Sequence, residues 1–238
     1  MSIGTSTHRV AGRVALGTGA SLVLVVVLAQ AFLPALAAKR VSARVARYGS
    51  VKSVSVSAFP AFELLWGHAD SVDVSAGALK VPESEVAALL WEAHTVGTMT
   101  LSADSATLIG IPSLAQGLTV SDLQVEKRGS AVQASATLTQ QQLTQALPAG
   151  FRIEPIASGG GEVEARASGG LFGVQASITA LVKPVEGRLV AEPKGFPLAS
   201  LATVTLFSDA HLKVRSIGVR VLRSQPLTYG LSLAGVLQ

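Results

Sequence analysis

The chain contains no cysteine and no asparagine. Without cysteine there is no disulfide and no thiolate metal site, so stability has to come from packing. Without asparagine there is no N-x-[ST] glycosylation acceptor and no asparagine cap or ligand. Aromatic residues make up 5% and charged residues 14% of the 238 positions, and the apolar content is mostly Val, Leu and Ala. Imidazoles are few: His8, His68, His94 and His211. Charge of one sign is also scarce. The formal charge is +4, but Arg9 and Arg13 stand in an apolar leader, and without them 17 basic residues face 15 acidic ones. The isoelectric point of 9.7 therefore overstates how basic the folded part is. No Lys/Arg run is interleaved with aromatics, which argues against a nucleic-acid partner.

What the chain does have is a long uncharged run, Val14–Ala38, of 25 residues. As a helix it would measure ~37 Å, against a bilayer hydrocarbon core of about 30 Å. His8, Arg9 and Arg13 precede it, and Lys39, Arg40, Arg44 and Arg47 follow. Two readings fit. One is a secretory signal peptide with Ala35-Leu36-Ala37 as an A-x-A cleavage site. The other is an uncleaved N-terminal transmembrane anchor. A buried soluble helix rarely runs so far without a charge. Both leading readings export the remainder, leaving roughly 200 residues, enough for a core without staples.

The residues after the leader read as a basic linker and then strands. Val54, Val56 and Ala58 alternate with Ser53, Ser55 and Ser57, the mark of a strand with one buried face. Phe59-Pro60 ends it, Ala61–Trp66 is a short apolar patch, and Gly67 breaks that. Ser71–Ala76 alternates again. Pro82–Val96 reads as a helix with Pro82 in its first position, Glu83 and Glu85 at its positive end, and a stripe of Val86, Leu89, Leu90 and Ala93. Strand-like segments follow at Thr98–Leu101 and Ala106–Ile111, then a hairpin around Lys127-Arg128-Gly129-Ser130. Thr139-x-x-Gln142 fits a capping box opening a short helix. The rest is strand-rich. In Leu171–Val182 the alternation places Val174, Ala176, Ile178, Ala180 and Val182 inward, and Gln175, Ser177 and Thr179 outward; near Ser216 the parity slips, which predicts a bulge. About ten long strands and two soluble helices give a mostly antiparallel sheet that must curl, pack on another sheet or enclose something apolar.

Signatures of chemistry are sparse. There is no G-x-S-x-G elbow. His68-Ala69-Asp70 with Asp73 matches no standard metal spacing. Glu162 and Glu164 share one strand face, whereas catalytic carboxylates converge from separate segments. Gly17-Thr18-Gly19 lies inside the leader, and Gly159-Gly160-Gly161 lacks the following helix of a nucleotide site. The aromatic patch Phe59, Phe62 and Trp66 stands out more. It reads either as ordinary core or as an apolar mouth touching lipid, since tryptophan favours polar–apolar boundaries.

The stretch VKSVSVSAFPAFELLWGHADSVDVSAG resembles a recurrent opening of the LmeA-like phospholipid-binding family of actinobacterial envelope proteins. In that pattern a strand (Val54–Ala58) leads to a Phe-Pro turn (Phe59-Pro60), an apolar half-turn (Phe62–Trp66), Gly67 and a second strand (Val72–Val74). The Gln-Leu-x-x-Ala-Leu helix at Gln142–Leu147 and the segment GGLFGVQASITALVKPVEGRLVAEP are similar too, so the likeness runs from about Val41 to the C-terminus. It implies an α+β fold, with a highly curved, mostly antiparallel sheet wrapped around a few helices in the manner of tubular lipid-binding folds. It implies phospholipid as ligand, lipid transport, the extracytoplasmic or periplasmic side of the plasma membrane as location, and a role in assembling lipid-anchored glycans such as mannans beside envelope glycolipid-synthesis proteins. It brings no catalytic residue and no cofactor.

The expectation is thus a chain of three parts: 1–38 a signal peptide or anchor, 39–50 a basic linker, and 51–238 a β-rich lipid-binding domain. Phe59, Phe62, Leu65, Trp66, Val86, Leu89, Leu90 and Ala93 are expected to line an apolar groove for acyl chains. Two rivals stay open: an enzyme acting on lipid-linked glycan, and a structural domain closed over a dry core.

Overall fold

A computed structural model describes residues 30, 32–111, 114, 116–171, 174–195 and 203–238. Most of the leader, residues 14–29 and 31, lies outside the described residues. Among the described residues no helix is long and apolar enough to cross a membrane.

The chain opens with a helix, α1 (residues 32–45), followed by β1 (Gly49–Ser57). The expected boundary between leader and linker at residue 38 runs through the middle of α1, which is part of the folded domain. The reason is its stripe: Ala37, Ala38, Val41 and Val45 pack on Val54, Val56, Val72 and Val74. The spacing 37, 41, 45 is one face of a helix.

A 3₁₀ turn (Ala61–Trp66) then leads to β2 (Ala69–Pro82), α2 (Glu83–Glu92) and β3 (Val96–Ile109). The helix is shorter than expected, and Pro82 is its N-cap rather than its first residue. β2 and β3 pair in parallel, an exception to the antiparallel expectation, and α2 is the crossover that parallel neighbours require. The two segments read as separate strands around Ser102–Ser105 are one strand, β3. Next come β4 (Leu118–Arg128), β5 (Ala131–Thr139), α3 (Gln140–Ala146), β6 (Phe151–Gly159), β7 (Glu162–Leu171), β8 (Val174–Val185), β9 (Arg188–Pro193), β10 (Val204–Phe207), β11 (Leu212–Ser224) and β12 (Leu227–Leu237).

These strands form two sheets rather than one. The larger has the order β1-β2-β3-β4-β5-β12-β11, and the smaller β10-β9-β8-β7-β6. The larger sheet turns a corner. In β2 the buried residues are Val72, Val74 and Ala76, then Leu79; in β3 they are Ala103, then Ala106. In each the parity slips by one residue, and the slip falls in the same row, where Ala78, Ser105 and Ser121 are partners. Asp122 of β4, beside this row, has φ +50°. A slip shared by neighbouring strands bends the whole sheet, and the bend wraps it around α1 and α2. Ala76, Leu79, Ala103, Ala106, Val120 and Leu138 fill the corner.

α3 begins where the Thr139–Gln142 capping box places it. Thr139 Oγ1 accepts from the Gln142 N–H at 3.1 Å, and Gln142 Oε1 accepts from the Thr139 N–H at 2.8 Å. Thr139→Ala should cost about 1 kcal/mol of unfolding free energy, read as a lowered urea midpoint with an unchanged slope. Gln140 in the same helix joins the sheets: its Nε2 donates to the Ile153 carbonyl at 3.1 Å, and its Oε1 accepts from Tyr229 Oη at 2.8 Å.

The smaller sheet docks on β11 by its turns. The Ile217 N–H donates to the Gly161 carbonyl (2.9 Å), the Val214 N–H to the Gly187 carbonyl (2.8 Å), and the Val219 N–H to Ser158 Oγ (2.9 Å). The outer edge of β11, otherwise a row of free donors, is thereby satisfied. The predicted bulge is present between Val214 and Ser216. The inward assignment on β8 needs correction. Ile178 is 39% exposed and Ala176 is exposed, while Ser177 across the strand is exposed too. Alternation there marks which side is apolar, but burial is confined to the end near β11, where Val163 and Val190 are covered. The side chains of Val174 and Gln175 lie outside the described residues.

Candidate functional site

The patch at Phe59–Trp66 is built to hold large apolar side chains outward. Ala61 is buried and Leu64 packs on the Val56–Val72–Val74 cluster, which pins the turn. Gly67 closes it at φ +78°, a left-handed conformation that favours glycine. The remaining side chains are left in the open: Phe59 is 80% and Trp66 67% exposed, with Leu65 and Phe62 also exposed. Phe62 and Trp66 meet edge to face with ring centroids 5.6 Å apart. Hydrogen bonds fix the backbone beneath. Asp70 Oδ2 accepts from the Phe59 N–H at 2.7 Å, and Thr95 Oγ1 donates to the Gly67 carbonyl at 2.7 Å. Just ahead of α1, Gln30 Nε2 donates to the Ala58 carbonyl (3.0 Å) and Gln30 Oε1 accepts from the Ala61 N–H (2.8 Å).

The Thr95 bond joins the patch to the end of α2, so the two groups expected to line a groove are neighbours through the α2–β3 connection. Along α2 itself, Val86, Leu89, Leu90 and Ala93 are half-buried. The fully buried residue is Ala87, which packs with Leu90 and Trp91 against Val132, Leu212, Leu237 and Phe207. The covered face is therefore centred one residue along from the stripe seen in the sequence. A small alanine at the point of closest approach carries little hydrophobic signal, which is why the stripe misses it. Tyr48 Oη donates to Glu85 at 2.6 Å and Arg44 pairs with Glu92, tying α1 to α2. The carboxylate beside it raises the Tyr48 pKa, and burial adds to this.

One interior group was not legible as such. Lys127, read from sequence as part of a turn, is 0% exposed. It lies in the inward row of Val72, Met99 and Val132, and its Nζ donates to the Val96 carbonyl at 2.6 Å, just beyond the end of α2. Burial lowers its pKa below the ordinary lysine value.

Elsewhere, a cleft of about 510 Å³ lies between α3 and the smaller sheet, lined by polar groups that include Gln140, Thr144, Arg152, Glu154 and Arg166. None of the residues expected to bind lipid borders it. Glu164, one of the paired glutamates, is engaged by Lys194 Nζ at 2.7 Å. Among the described residues no three His, Asp or Glu side chains are grouped to hold a metal ion.

The LmeA-like phospholipid-binding family matches residues 28–233. The chain belongs to that family. Membership supports lipid binding, and the resemblance read from Val41 onward is confirmed over nearly that whole length and extends to the first part of α1, residues 32–40. No curated protein and no solved structure matches the chain.

Proposed function

We propose that this protein holds phospholipid on the outer side of the plasma membrane, tethered by its leader, and serves the assembly of lipid-anchored glycans such as mannans beside the envelope enzymes that build them. Acyl chains lie along α2, against Val86, Leu89, Leu90 and Ala93, and enter past Phe59, Phe62, Leu65 and Trp66. Family membership over residues 28–233 supports the phospholipid-binding part of the reading. The Thr95–Gly67 bond supports its geometry, because it ties the open aromatic end to the α2–β3 connection. Each buried methylene contributes about 0.8 kcal/mol, so a single acyl chain supplies enough affinity without a charged site.

The test is native mass spectrometry of the full chain purified from membranes, followed by solvent extraction and lipid identification. A stoichiometric phospholipid is expected. Leu89→Trp should lower its occupancy several-fold while the urea midpoint moves little; Leu90 is the less clean position because it also packs on the Val132–Leu212 cluster. Protein free of lipid, or occupancy and stability falling together, removes the groove. A phosphatase reporter fused after Gln238 and active only outside the cytoplasm checks the location.

A further inference from the structure

The apolar leader and the aromatic patch meet at Gln30. Its side chain grips both flanks of the 3₁₀ turn, the Ala58 carbonyl and the Ala61 N–H. The chain therefore enters the fold beside Phe59, Phe62, Leu65 and Trp66. Upstream of this clamp the uncharged run has only the 16 residues 14–29. As a helix they would measure ~24 Å, short of a hydrocarbon core of about 30 Å. The rest of the uncharged run is α1, and its first turns expose Phe32 and Leu36. Those turns make up the missing length only by entering the bilayer themselves, and Gln30 fixes them to the patch.

We infer that the domain is seated in a phospholipid bilayer by this end, with Phe32, Phe59, Leu65 and Trp66 at the headgroup–acyl boundary and the leader retained as anchor. The inference rests on reading the leader as a membrane segment. Three further observations favour it. Tryptophan and phenylalanine beside a polar surface are the residues of such boundaries. Lys39 and Arg40, both exposed, follow Leu36 within about a turn, at the level of anionic headgroups. Ala35-Leu36-Ala37 lies inside α1, whose Ala37 and Ala38 pack on the Val56 cluster, and the family match starts at residue 28. Cleavage after Ala37 would remove the Gln30 clamp and the Ala37 core contact. Of the two acids in the patch, Asp70 is engaged with the Phe59 N–H, and Glu63 is half-buried within the turn.

The two tryptophans make the test direct. Trp66 stands in the patch, whereas Trp91 is half-buried between the rings of His94 and His211. Full-length Trp91→Phe and Trp66→Phe proteins are reconstituted into phosphatidylcholine–phosphatidylglycerol vesicles with and without bromine on the acyl chains. Bromine quenches on contact, so the emission of Trp66 is expected to fall by about half or more while that of Trp91 holds. Phe62→Asp with Leu65→Asp should abolish the quenching yet leave the protein in the vesicle pellet. Unquenched Trp66 in pelleted protein overturns the seat alone. Protein left in the supernatant overturns the anchor reading with it. Equal quenching of both tryptophans that survives Phe62→Asp with Leu65→Asp puts the brominated chains along α2 and overturns the seat, as does a Trp66 emission already blue-shifted without vesicles and indifferent to bromine, which marks a patch covered by the chain itself or by a second copy.

Discussion

Lys127→Glu should unfold the domain at neutral pH, while Lys127→Met should leave it folded. The side chain is sealed among Val72, Met99 and Val132, with its ammonium on the Val96 carbonyl. A glutamate there would bring an acceptor to an acceptor and bury a charge with no donor, at about 3–5 kcal/mol or more. That is a large share of a total stability of about 5–15 kcal/mol. Methionine keeps the length and the packing. It leaves the Val96 carbonyl unbonded, about 1–3 kcal/mol, but removes the desolvation of an ammonium, so the two effects largely offset. The sign with pH follows from the lowered pKa. The unfolded lysine, with its ordinary value of 10.5, holds a proton where the folded one has released it. Stability therefore rises with pH between the folded and the unfolded pKa. Lys127→Met should lose that alkaline rise in urea denaturation. A Lys127→Glu midpoint equal to that of the parent would mean the site is hydrated.

Gly49→Ala should be nearly as damaging, for a different reason. A Cβ on Gly49 would stand 1.9 Å from the Ala78 carbonyl oxygen and 2.9 Å from its carbon. These are backbone atoms of the paired strand and cannot rotate away. The start of β1 would have to part from β2 at the point where the Lys80 N–H also bonds the Tyr48 carbonyl. The expected loss is about 3 kcal/mol or more. Gly129→Ala is the control. Its φ of +57° disfavours alanine, but nothing lies within 4 Å of the added carbon. The left-handed conformation alone costs about 1–2 kcal/mol, a few degrees of melting temperature in a domain of this size. Similar losses from the two would show that β1 yields at Gly49.

Local chemistry carried most of what was legible in the sequence. The alternation at Val54–Ala58, the Thr139–Gln142 capping box, the hairpin at Gly129-Ser130 and the bulge near Ser216 each depend on a few adjacent residues, and each is present. What depended on distant partners was not legible. The parallel pairing of β2 and β3 follows from where α2 crosses, and nothing in either strand marks it. The division into two sheets is made by turns at Gly161 and Gly187 meeting β11, contacts far apart in sequence. For that reason Ile178 could be assigned to an apolar side but not to a buried one. Lys127 next to Arg128 and Gly129 reads as a polar turn, and only the pairing with Met99 and Val132 turns it inward. In the candidate site, Phe59, Phe62 and Trp66 were visible as a cluster. Their exposure depends on Ala61 and Leu64 taking the inward places.

β12, the last eleven residues before Gln238, is not at a margin of the larger sheet but between β5 and β11. An interior strand of the sheet thus follows every other described strand in the sequence. Until it emerges, β5 has an open edge and β11 has no partner in the sheet, so the larger sheet cannot close on a growing chain. Removing β12 would take away the strand that holds the two parts of the larger sheet together.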